Sequence, residues 1–371
     1  MVEDEYGFVY PSIDESKCIK CGLCLKTCVY KKKTKPNTIK DSYMAVSKID
    51  DILMKSASGG IFTSIAQEIL KNNGVVFGCS MEKDEQGRLE PQHIKVSSLD
   101  DLYKLQGSKY VQSNTKNIYK EIKNELKNNK LVLFSGTPCQ VAALKSFLGK
   151  INQENLYTID IICHGVPNFK MFQDYIEFIE EKNKDKVENF LFRDKSKSWG
   201  YFAKISFASK KVKFVPCINS SFYQLFLNSL INRENCYSCP YANGNRVGDL
   251  TIGDFWGIEK EHPNFLKENH LDSKKGISCI IVNNDKGKCI IEKFSGNILL
   301  KSSKFEKISI HNHQLVSPIK CNPKREIILN LYKNNGYKAV DKWYRNDNKI
   351  NYIIKSLWYK MPYGIRKIIK K

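Results

Sequence analysis

The sequence predicts a mixed α/β protein, with a small cysteine-rich unit at the N-terminus and a basic helical segment at the C-terminus. Three observations lead to this prediction. From about residue 41 onward, short apolar strands alternate with amphipathic helices. Four cysteines stand close together in "KCIKCGLCLKTCVY", residues 17–30. The segment from Lys349 to Lys371 contains seven basic residues and no acidic residue.

The composition favours a globular protein over a membrane-spanning or exported one. The chain has 371 residues, of which 42% are hydrophobic and 27% are charged. Apolar runs such as "LVLF" are too short to span a bilayer, and the acidic N-terminus does not resemble a signal peptide. We therefore expect a cytoplasmic protein. In a reducing cytosol, its thirteen cysteines are more often metal ligands or catalytic groups than disulfides.

The N-terminal cysteines have the C-x2-C-x2-C-x3-C spacing of a bacterial iron–sulfur loop. This spacing predicts a 4Fe–4S cluster with the ligands Cys18, Cys21, Cys24 and Cys28. Zinc is the main competitor, but structural zinc sites favour two separated pairs of ligands. Gly22 would allow the tight approach of the backbone, and Val29 stands where such loops usually have proline.

The elements of the α/β region are predicted in order from periodicity and turn residues. They are a Ser/Gly loop leading into a helix (56–70), a strand (74–81), a strand–turn–helix unit (131–148), a strand with a loop at its carboxyl end (155–167), a helix in "NFKMFQDYIEFIEEKN", and strands in "VGDLTIGDFWG" and "ISCIIVNNDKGK".

A second set of cysteines is dispersed along the chain: Cys139, Cys163, Cys236 and Cys239. The first two follow apolar strands, and strand ends are where doubly wound sheets place ligands. The other two form a C-x2-C pair. The set can make a four-thiolate site. Alternatively, the first two are buried fillers and the pair binds zinc or nothing, and spacing alone leaves these alternatives open.

Three loops have the residue types that bind phosphate. They are Ser58–Gly59–Gly60 before a helix, Gly107–Ser108–Lys109, and the turn at Thr137. Taken singly, each is more often an ordinary cap or turn, and the fingerprints for NAD and ATP are absent. His164, next to Cys163, can donate a hydrogen bond or transfer a proton, and a structural role fits equally well.

Six motifs in order carry a resemblance to a known family: "SASGG", "GSKYVQS", "LFSGTPCQVAALKSFL", "DIICHGVP", "ENCYSCPYANGNRVGDLTIGDFWGI" and "PKRE". Residues 1–325 resemble the coenzyme F-420 hydrogenase/dehydrogenase beta-subunit family, most closely its bacterial members associated with polysaccharide biosynthesis. The resemblance implies four regions: a ferredoxin-type unit (1–40), a flavin-binding N-terminal region (41–120), a C-terminal domain with a cluster and flavin site (121–325) and a basic tail (326–371).

The resemblance also implies an enzyme, an iron–sulfur flavoprotein with FAD and one or two 4Fe–4S clusters. Such a protein moves electrons between clusters and flavin, and onward to a deazaflavin, another small-molecule hydride acceptor or a redox partner protein. The implied flavin contacts are Ser58, Gly59, Gly60, Gly107, Ser108, Lys109 and Thr137. The implied catalytic groups are Lys109 and His164. The second cluster would be held by Cys139, Cys163, Cys236 and Cys239.

The N-terminal run departs from the family pattern, because it looks like the second half of a two-motif ferredoxin. In a two-motif ferredoxin, the fourth cysteine of each motif binds the cluster of the other motif, so Cys28 then lacks its usual cluster. We expect that the chain start is misplaced, that Cys28 closes the cluster itself, or that an incomplete cluster is tolerated.

The basic tail supports an alternative function. It interleaves apolar residues with Lys and Arg, which suits the inner face of a membrane or an acidic partner. A non-catalytic electron-transfer or assembly subunit in polysaccharide biosynthesis could dock in this way. A solvated helix is the plainer interpretation of the tail. A zinc-stabilised binding protein is a third hypothesis. The net charge of +21 alone does not make nucleic acid an expected partner.

Overall fold

The computed structural model describes residues 1–31, 37–197 and 202–347. The strands are β1 (Val2–Glu3), β2 (Val9–Tyr10), β3 (Asp41–Ser47), β4 (Val75–Lys83), β5 (Leu89–Val96), β6 (Val132–Gly136), β7 (Leu156–Ile161), β8 (Val187–Leu191), β9 (Phe202–Phe207), β10 (Val212–Pro216), β11 (Leu250–Asp254), β12 (Ser278–Val282) and β13 (Ile298–Ser303). The α-helices are α1 (Leu23–Thr27), α2 (Asp50–Lys55), α3 (Ile61–Lys71), α4 (Ile118–Lys127), α5 (Pro138–Leu148), α6 (Phe169–Asn183), α7 (Ser221–Leu227), α8 (Ile258–Glu261), α9 (Pro263–Glu268), α10 (Asp285–Phe294), α11 (Phe305–Ser309) and α12 (Arg325–Asp347).

The main sheet has the strand order β13-β3-β12-β11-β7-β6-β4-β5. Strands β4, β6, β7 and β11 are parallel to one another, and the strands toward both edges add antiparallel pairs. Helices α3 and α10 cover one face and α4 and α5 the other. Buried on both faces, the parallel strands are continuous apolar runs, such as Val132–Phe134. The predicted mixed α/β class is confirmed.

One sheet receives strands from both of the predicted regions 41–120 and 121–325. Strand β3 pairs with β12 and β13, and β4 pairs with β6. The boundary at residue 120 therefore falls in helix α4, and the regions on its two sides contribute strands to one continuous hydrogen-bonded sheet. This sheet brings loops from distant parts of the chain to a common edge.

A second, smaller layer contains the antiparallel strands β8, β9 and β10 with α6, α7 and α12. Its core is rich in aromatic rings, which stack or meet edge to face, including Phe172, Phe190 and Phe222. Helix α12 is kinked at Gly336, where φ is 71°. The predicted basic tail, 326–371, is thus helical as far as Asp347, and its part from Lys349 lies outside the described residues.

The N-terminal segment packs on this second layer before it forms the cysteine loop. Phe8 is buried in the aromatic core, and the Tyr6 hydroxyl donates to Asn330 Oδ1 at 3.0 Å. The following loop carries α1, none of whose residues is buried. Gly22 precedes α1 with a φ of 68°, as the tight loop requires. No helix in the described ranges is both long and apolar enough to cross a bilayer.

Candidate functional site

A cavity of about 670 Å³ opens at the carboxyl ends of the parallel strands. The turn after β6 contributes Thr137 and Cys139, the loop after β7 contributes Cys163, and β11 ends at Asp254 in the cavity wall. Ligands were expected from the sequence at the ends of β6 and β7, because a doubly wound sheet leaves a crevice there. The cavity lies at this edge.

Most of the predicted site residues line this cavity. They are Ser58, Gly60, Gly107, Ser108, Lys109, Thr137, Cys139, Cys163, His164, Cys236 and Cys239. Gly59 is not in the wall. Its amide donates to Ser278 Oγ at 2.9 Å, and a Cβ there would lie 2.6 Å from the carbonyl oxygen of Ala45. Gly59 therefore packs the loop against the sheet. The N-terminal cysteines, Cys18, Cys21, Cys24 and Cys28, also lie outside the cavity wall.

The four dispersed cysteines come together at one end of the cavity. Burial raises the pKa of Cys163 well above its usual range, and the neighbouring thiols of Cys236 and Cys139 raise it further. Burial likewise raises the pKa of Cys236 to about 12 and also raises that of Cys239. Each of these effects includes a contribution from another cysteine of the group. We call Cys139, Cys163, Cys236 and Cys239 the inner thiols.

The inner thiols are neighbours without being arranged around a single point. Within residues 1–31, 37–197 and 202–347, no group of three or more His, Cys, Asp or Glu side chains has the geometry to hold a metal ion. The chemistry of the set nevertheless suits thiophilic metal. The raised pKa values of Cys163, Cys236 and Cys239 keep these thiols neutral near pH 7. Iron would supply the positive charge that makes them thiolates.

Backbone contacts hold two of the inner thiols in place. The Gly165 amide donates to Cys163 Sγ at 3.3 Å. Gly165 has a φ of 98°, and a Cβ at this position would lie 2.6 Å from Asn232 Nδ2. The Cys236 turn is tied to the same loop, because the Arg233 amide donates to the Val166 carbonyl at 2.8 Å. The loops that carry Cys163 and Cys236 are therefore joined into one unit.

The end of the N-terminal cysteine loop reaches the inner thiols. Val29 packs against the same apolar cluster as Cys139 and Cys239, and its carbonyl accepts a 2.6 Å hydrogen bond from the Tyr241 hydroxyl. Tyr30 lines the cavity, and its phenol interacts with Cys139. This short segment joins the exposed cysteine loop to the inner thiols. Tyr30 was not predicted from the sequence to be a site residue, although its position two residues after Cys28 was a usable signal.

The Ser/Gly loop presents the N-terminus of α3 to the cavity. No side chain caps this helix end, which carries partial positive charge. Buried Lys195, which sequence reasoning missed, donates to the carbonyls of Leu53 and Ser58 at 2.6 and 2.5 Å and so fixes the loop. Burial lowers the pKa of Lys195 to about 7.

Lys109 and His164 both lie in the wall with partners of their own. The Lys109 ammonium donates to the carbonyls of Lys104 and Gln106, and burial lowers its pKa to about 8. An ammonium has three hydrogens, so one remains for a ligand. His164 uses both ring nitrogens, with Nε2 3.2 Å from the Leu227 carbonyl and Nδ1 3.3 Å from Gln314 Nε2. Nε2 donates to the carbonyl and Nδ1 accepts from the Gln314 amide nitrogen, so the ring is neutral in this arrangement.

Two buried ion pairs brace the strand ends. Arg193 donates to Asp254 Oδ2 at 2.6 Å, which ties the end of the small sheet to β11. Arg246 is almost fully buried and donates to Asp160 Oδ1 at 2.7 Å. None of these residues was predicted from the sequence to be a ligand. The pairs link the strand ends that form the cavity wall.

A hydrogen-bonded histidine lies behind the turn that carries Cys139. His93 is buried, stacks on Phe134, and places Nε2 3.2 Å from the Ser135 carbonyl. Burial, with a smaller contribution from the Lys109 charge, lowers its pKa to about 4. Sequence reasoning did not consider His93, because a lone histidine in a strand carries no motif.

Acid stability is expected to depend on His93. Its folded-state pKa is below the usual unfolded value of about 6.5, so the unfolded chain binds the proton first and stability falls as the pH drops from 6.5 toward 4. By pH 4 the loss is about 3 kcal/mol. Urea unfolding of metal-free protein at pH 7 and pH 4.5 should show a shallower pH dependence for His93→Gln than for wild type. The exposed His313→Gln variant is the control, and equal pH dependence in His93→Gln and wild type would contradict this account.

Comparison with known proteins identifies the family. Residues 42–120 match the model described as coenzyme F420 hydrogenase/dehydrogenase, beta subunit N-term, and residues 129–307 match the model for the C terminus of the same beta subunit. The chain belongs to this family. The resemblance inferred from the six motifs is therefore confirmed, while the association with polysaccharide biosynthesis stays a prediction.

Curated proteins and a solved structure give more distant similarities. The chloroplastic 7-hydroxymethyl chlorophyll a reductase of Oryza sativa subsp. japonica is 23% identical over 347 residues, covering 85% of this chain and 68% of that protein. An uncharacterised protein of Methanocaldococcus jannaschii is 25% identical over 282 residues, covering 72% of this chain and 69% of that one. A chain of the F420-reducing NiFe hydrogenase complex from Methanosarcina barkeri is 16% identical, with a TM-score of 0.47, covering 84% of this chain and 93% of that one. The family and the reductase relative support an oxidoreductase function.

Proposed function

We propose that this protein is a flavin-dependent iron–sulfur oxidoreductase. The observation that carries the proposal is the convergence of the four inner thiols at one end of a large cavity, at the sheet edge where α/β proteins bind ligands. The thiols come from three separate loops that the fold holds together. The family adds independent support, because its members are named as hydrogenase or dehydrogenase subunits.

The inner thiols are the proposed ligands of one 4Fe–4S cluster. Cys139, Cys163, Cys236 and Cys239 would bind as thiolates, and thiolate is the usual ligand of such clusters. The N-terminal loop would hold another cluster with Cys18, Cys21 and Cys24. If Cys28 completes that cluster, Cys28→Ala should contain about four fewer iron atoms per chain than wild type, and if it does not, the iron content should be unchanged. Clusters supply one-electron transfer when they are bound.

The rest of the cavity is proposed to bind FAD. The whole cavity has a volume of about 670 Å³, which lies within the range of sites for cofactors and similar ligands. The uncapped N-terminus of α3 and Gly60 would bind pyrophosphate, with Lys109 available to donate one further hydrogen bond. Bound flavin would pass electrons singly to clusters and in pairs to an organic acceptor.

The shape of the site favours an enzyme over the alternative of a bare electron-transfer subunit. A protein that only relays electrons needs closely spaced redox centres, whereas a cavity of about 670 Å³ is in the size range of sites that bind an organic cofactor or substrate. The acceptor is proposed to be a deazaflavin or another small hydride acceptor, and a redox partner protein would supply or remove single electrons. Contact between the tail from Lys349 and a membrane or an acidic partner stays a prediction.

Anaerobic purification followed by reconstitution with iron, sulfide and FAD tests the proposal. We expect about one flavin per chain and about four to eight iron and acid-labile sulfide atoms, with identification of the flavin by chromatography. Absence of both iron and flavin would overturn the proposal. Zinc in place of iron would support a zinc-stabilised binding protein instead, and iron without flavin would support the relay subunit.

A further inference from the structure

A chain of hydrogen bonds leads from buried His93 to the sulfur of Cys139. Its links are His93 Nδ1 to Ser113 Oγ at 3.1 Å, Ser113 Oγ to Gln140 Nε2 at 2.8 Å, Gln140 Oε1 to Thr137 Oγ1 at 3.0 Å, and Thr137 Oγ1 to Cys139 Sγ at 3.1 Å. Every member lines the cavity. Thr137 was predicted from the sequence to be a flavin contact, but its hydroxyl lies against one of the inner thiols.

The direction of each hydrogen bond follows from the partners of His93, at the end of the network away from Cys139. The Ser135 carbonyl can only accept, so His93 Nε2 carries the hydrogen and Nδ1 of the neutral ring accepts. Ser113 must therefore donate to Nδ1, and its oxygen accepts from the Gln140 amide nitrogen. Gln140 Oε1 then points toward Thr137, where it also accepts from the Thr137 amide at 3.0 Å.

This arrangement determines what the Thr137 hydroxyl can do. Its single hydrogen can point to Gln140 Oε1 or to Cys139 Sγ. When Cys139 is a protonated thiol, the thiol can itself donate to Thr137. When Cys139 is a metal-bound thiolate, it has no hydrogen. In a hydrogen bond between Thr137 and Cys139, the Thr137 hydroxyl is then the donor. Gln140 Oε1 keeps the bond from the Thr137 amide in either case.

We propose that Thr137 is a positioning residue for the inner cluster, whose hydroxyl donates a hydrogen bond to the Cys139 ligand, and that Gln140 Oε1, held in place through Ser113 and His93, competes for the same hydrogen. This inference rests on the proposed function and adds a determinant of the reduction potential of the inner cluster. A hydrogen bond to a ligand sulfur stabilises the more negative, reduced cluster and so raises the reduction potential. The same network explains why a polar chain extends through the cavity wall behind a single cysteine.

The test is a redox titration of the reconstituted full chain, followed by electron paramagnetic resonance of the inner cluster. To make the signal unambiguous, Cys18, Cys21 and Cys24 are replaced by serine in every variant. Thr137→Val, which removes only the hydroxyl, should shift the midpoint potential to a more negative value. Thr137→Ser should restore the wild-type value. Thr115→Val, also in the cavity wall, is the matched control and should leave the potential unchanged.

A second variant separates this role from helix capping, since Thr137 is also the N-cap residue of α5. Ser113→Ala leaves the cap residues intact but removes the acceptor that holds the Gln140 amide nitrogen, so Gln140 Oε1 competes less for the hydroxyl hydrogen and the potential should shift by a smaller amount to a less negative value. Iron-loaded Thr137→Val and Ser113→Ala proteins with wild-type potentials would overturn the inference and leave the proposed function standing. Failure of the parent chain to bind iron at all would overturn both.

Discussion

A Cys163→Ser variant, purified and reconstituted without oxygen, is expected to contain about four fewer iron atoms per chain than wild type. Cys163 lies close to the other inner thiols, since each of the other three contributes to its raised pKa. Serine keeps the size of the side chain but replaces the soft thiolate with a hard hydroxyl, which is a poor ligand for iron–sulfur clusters. Iron and acid-labile sulfide assays make the measurement.

The chain offers a matched control for this experiment. Cys79 lines the same cavity, but no other cysteine affects its pKa, so it lies apart from the inner thiols. Cys79→Ser should keep the full iron content. Equal iron in the Cys163→Ser and wild-type proteins would show that the inner thiols are not cluster ligands. Equal iron loss in both variants would indicate collapse of the cavity rather than loss of a ligand.

Replacing Arg246 by methionine is expected to destabilise the fold by about 3–5 kcal/mol. Its guanidinium is buried, pairs with Asp160, and donates to the carbonyls of Tyr241 and Ile161. Methionine has a similar length but leaves the Asp160 carboxylate buried without its cation. Asp160 keeps only neutral donors, among them the Gly248 amide at 2.7 Å and the Thr251 hydroxyl at 2.7 Å. Denaturant unfolding at pH 7 measures the loss.

An exposed ion pair provides the comparison for Arg246. Lys83 and Glu188 are 2.6 Å apart, but their side chains are 44% and 48% exposed. Lys83→Met should therefore cost no more than about 1 kcal/mol. We also expect weaker iron retention in Arg246→Met, because Tyr241 links this site to the N-terminal loop through Val29. A destabilisation as small as that of Lys83→Met would contradict the structural role given to the Arg246–Asp160 pair.

The parts of the fold and site that were predictable from sequence are those with strong local signals. Apolar runs predicted β6, β7 and β12, and the strand–turn–helix pattern placed Cys139 at the start of α5. The capping box Thr137-x-x-Gln140 is another local signal, although Gln140 was not singled out from the sequence. The cavity lies at the strand ends, where candidate ligands were predicted from the sequence.

The parts that were not predictable depend on contacts between distant residues. The antiparallel strands β8, β9 and β10 were missed because their pairing, and not a distinctive pattern, defines them. His93 and Ser113 acquire their roles only when β5 and the following loop pack behind the turn at Thr137. Gly59 was taken for a cofactor contact because a Gly-rich loop has the same composition whether it faces a ligand or a sheet.

The most direct test of a cluster beside a flavin uses a chain that keeps only the inner thiols as candidate ligands. Cys18, Cys21, Cys24 and Cys28 are all exposed or half-buried, so their replacement by serine should not disturb the core. After anaerobic reconstitution, we expect about four iron atoms, about four sulfide ions and one flavin per chain of this variant. A folded variant that binds neither iron nor flavin would contradict it.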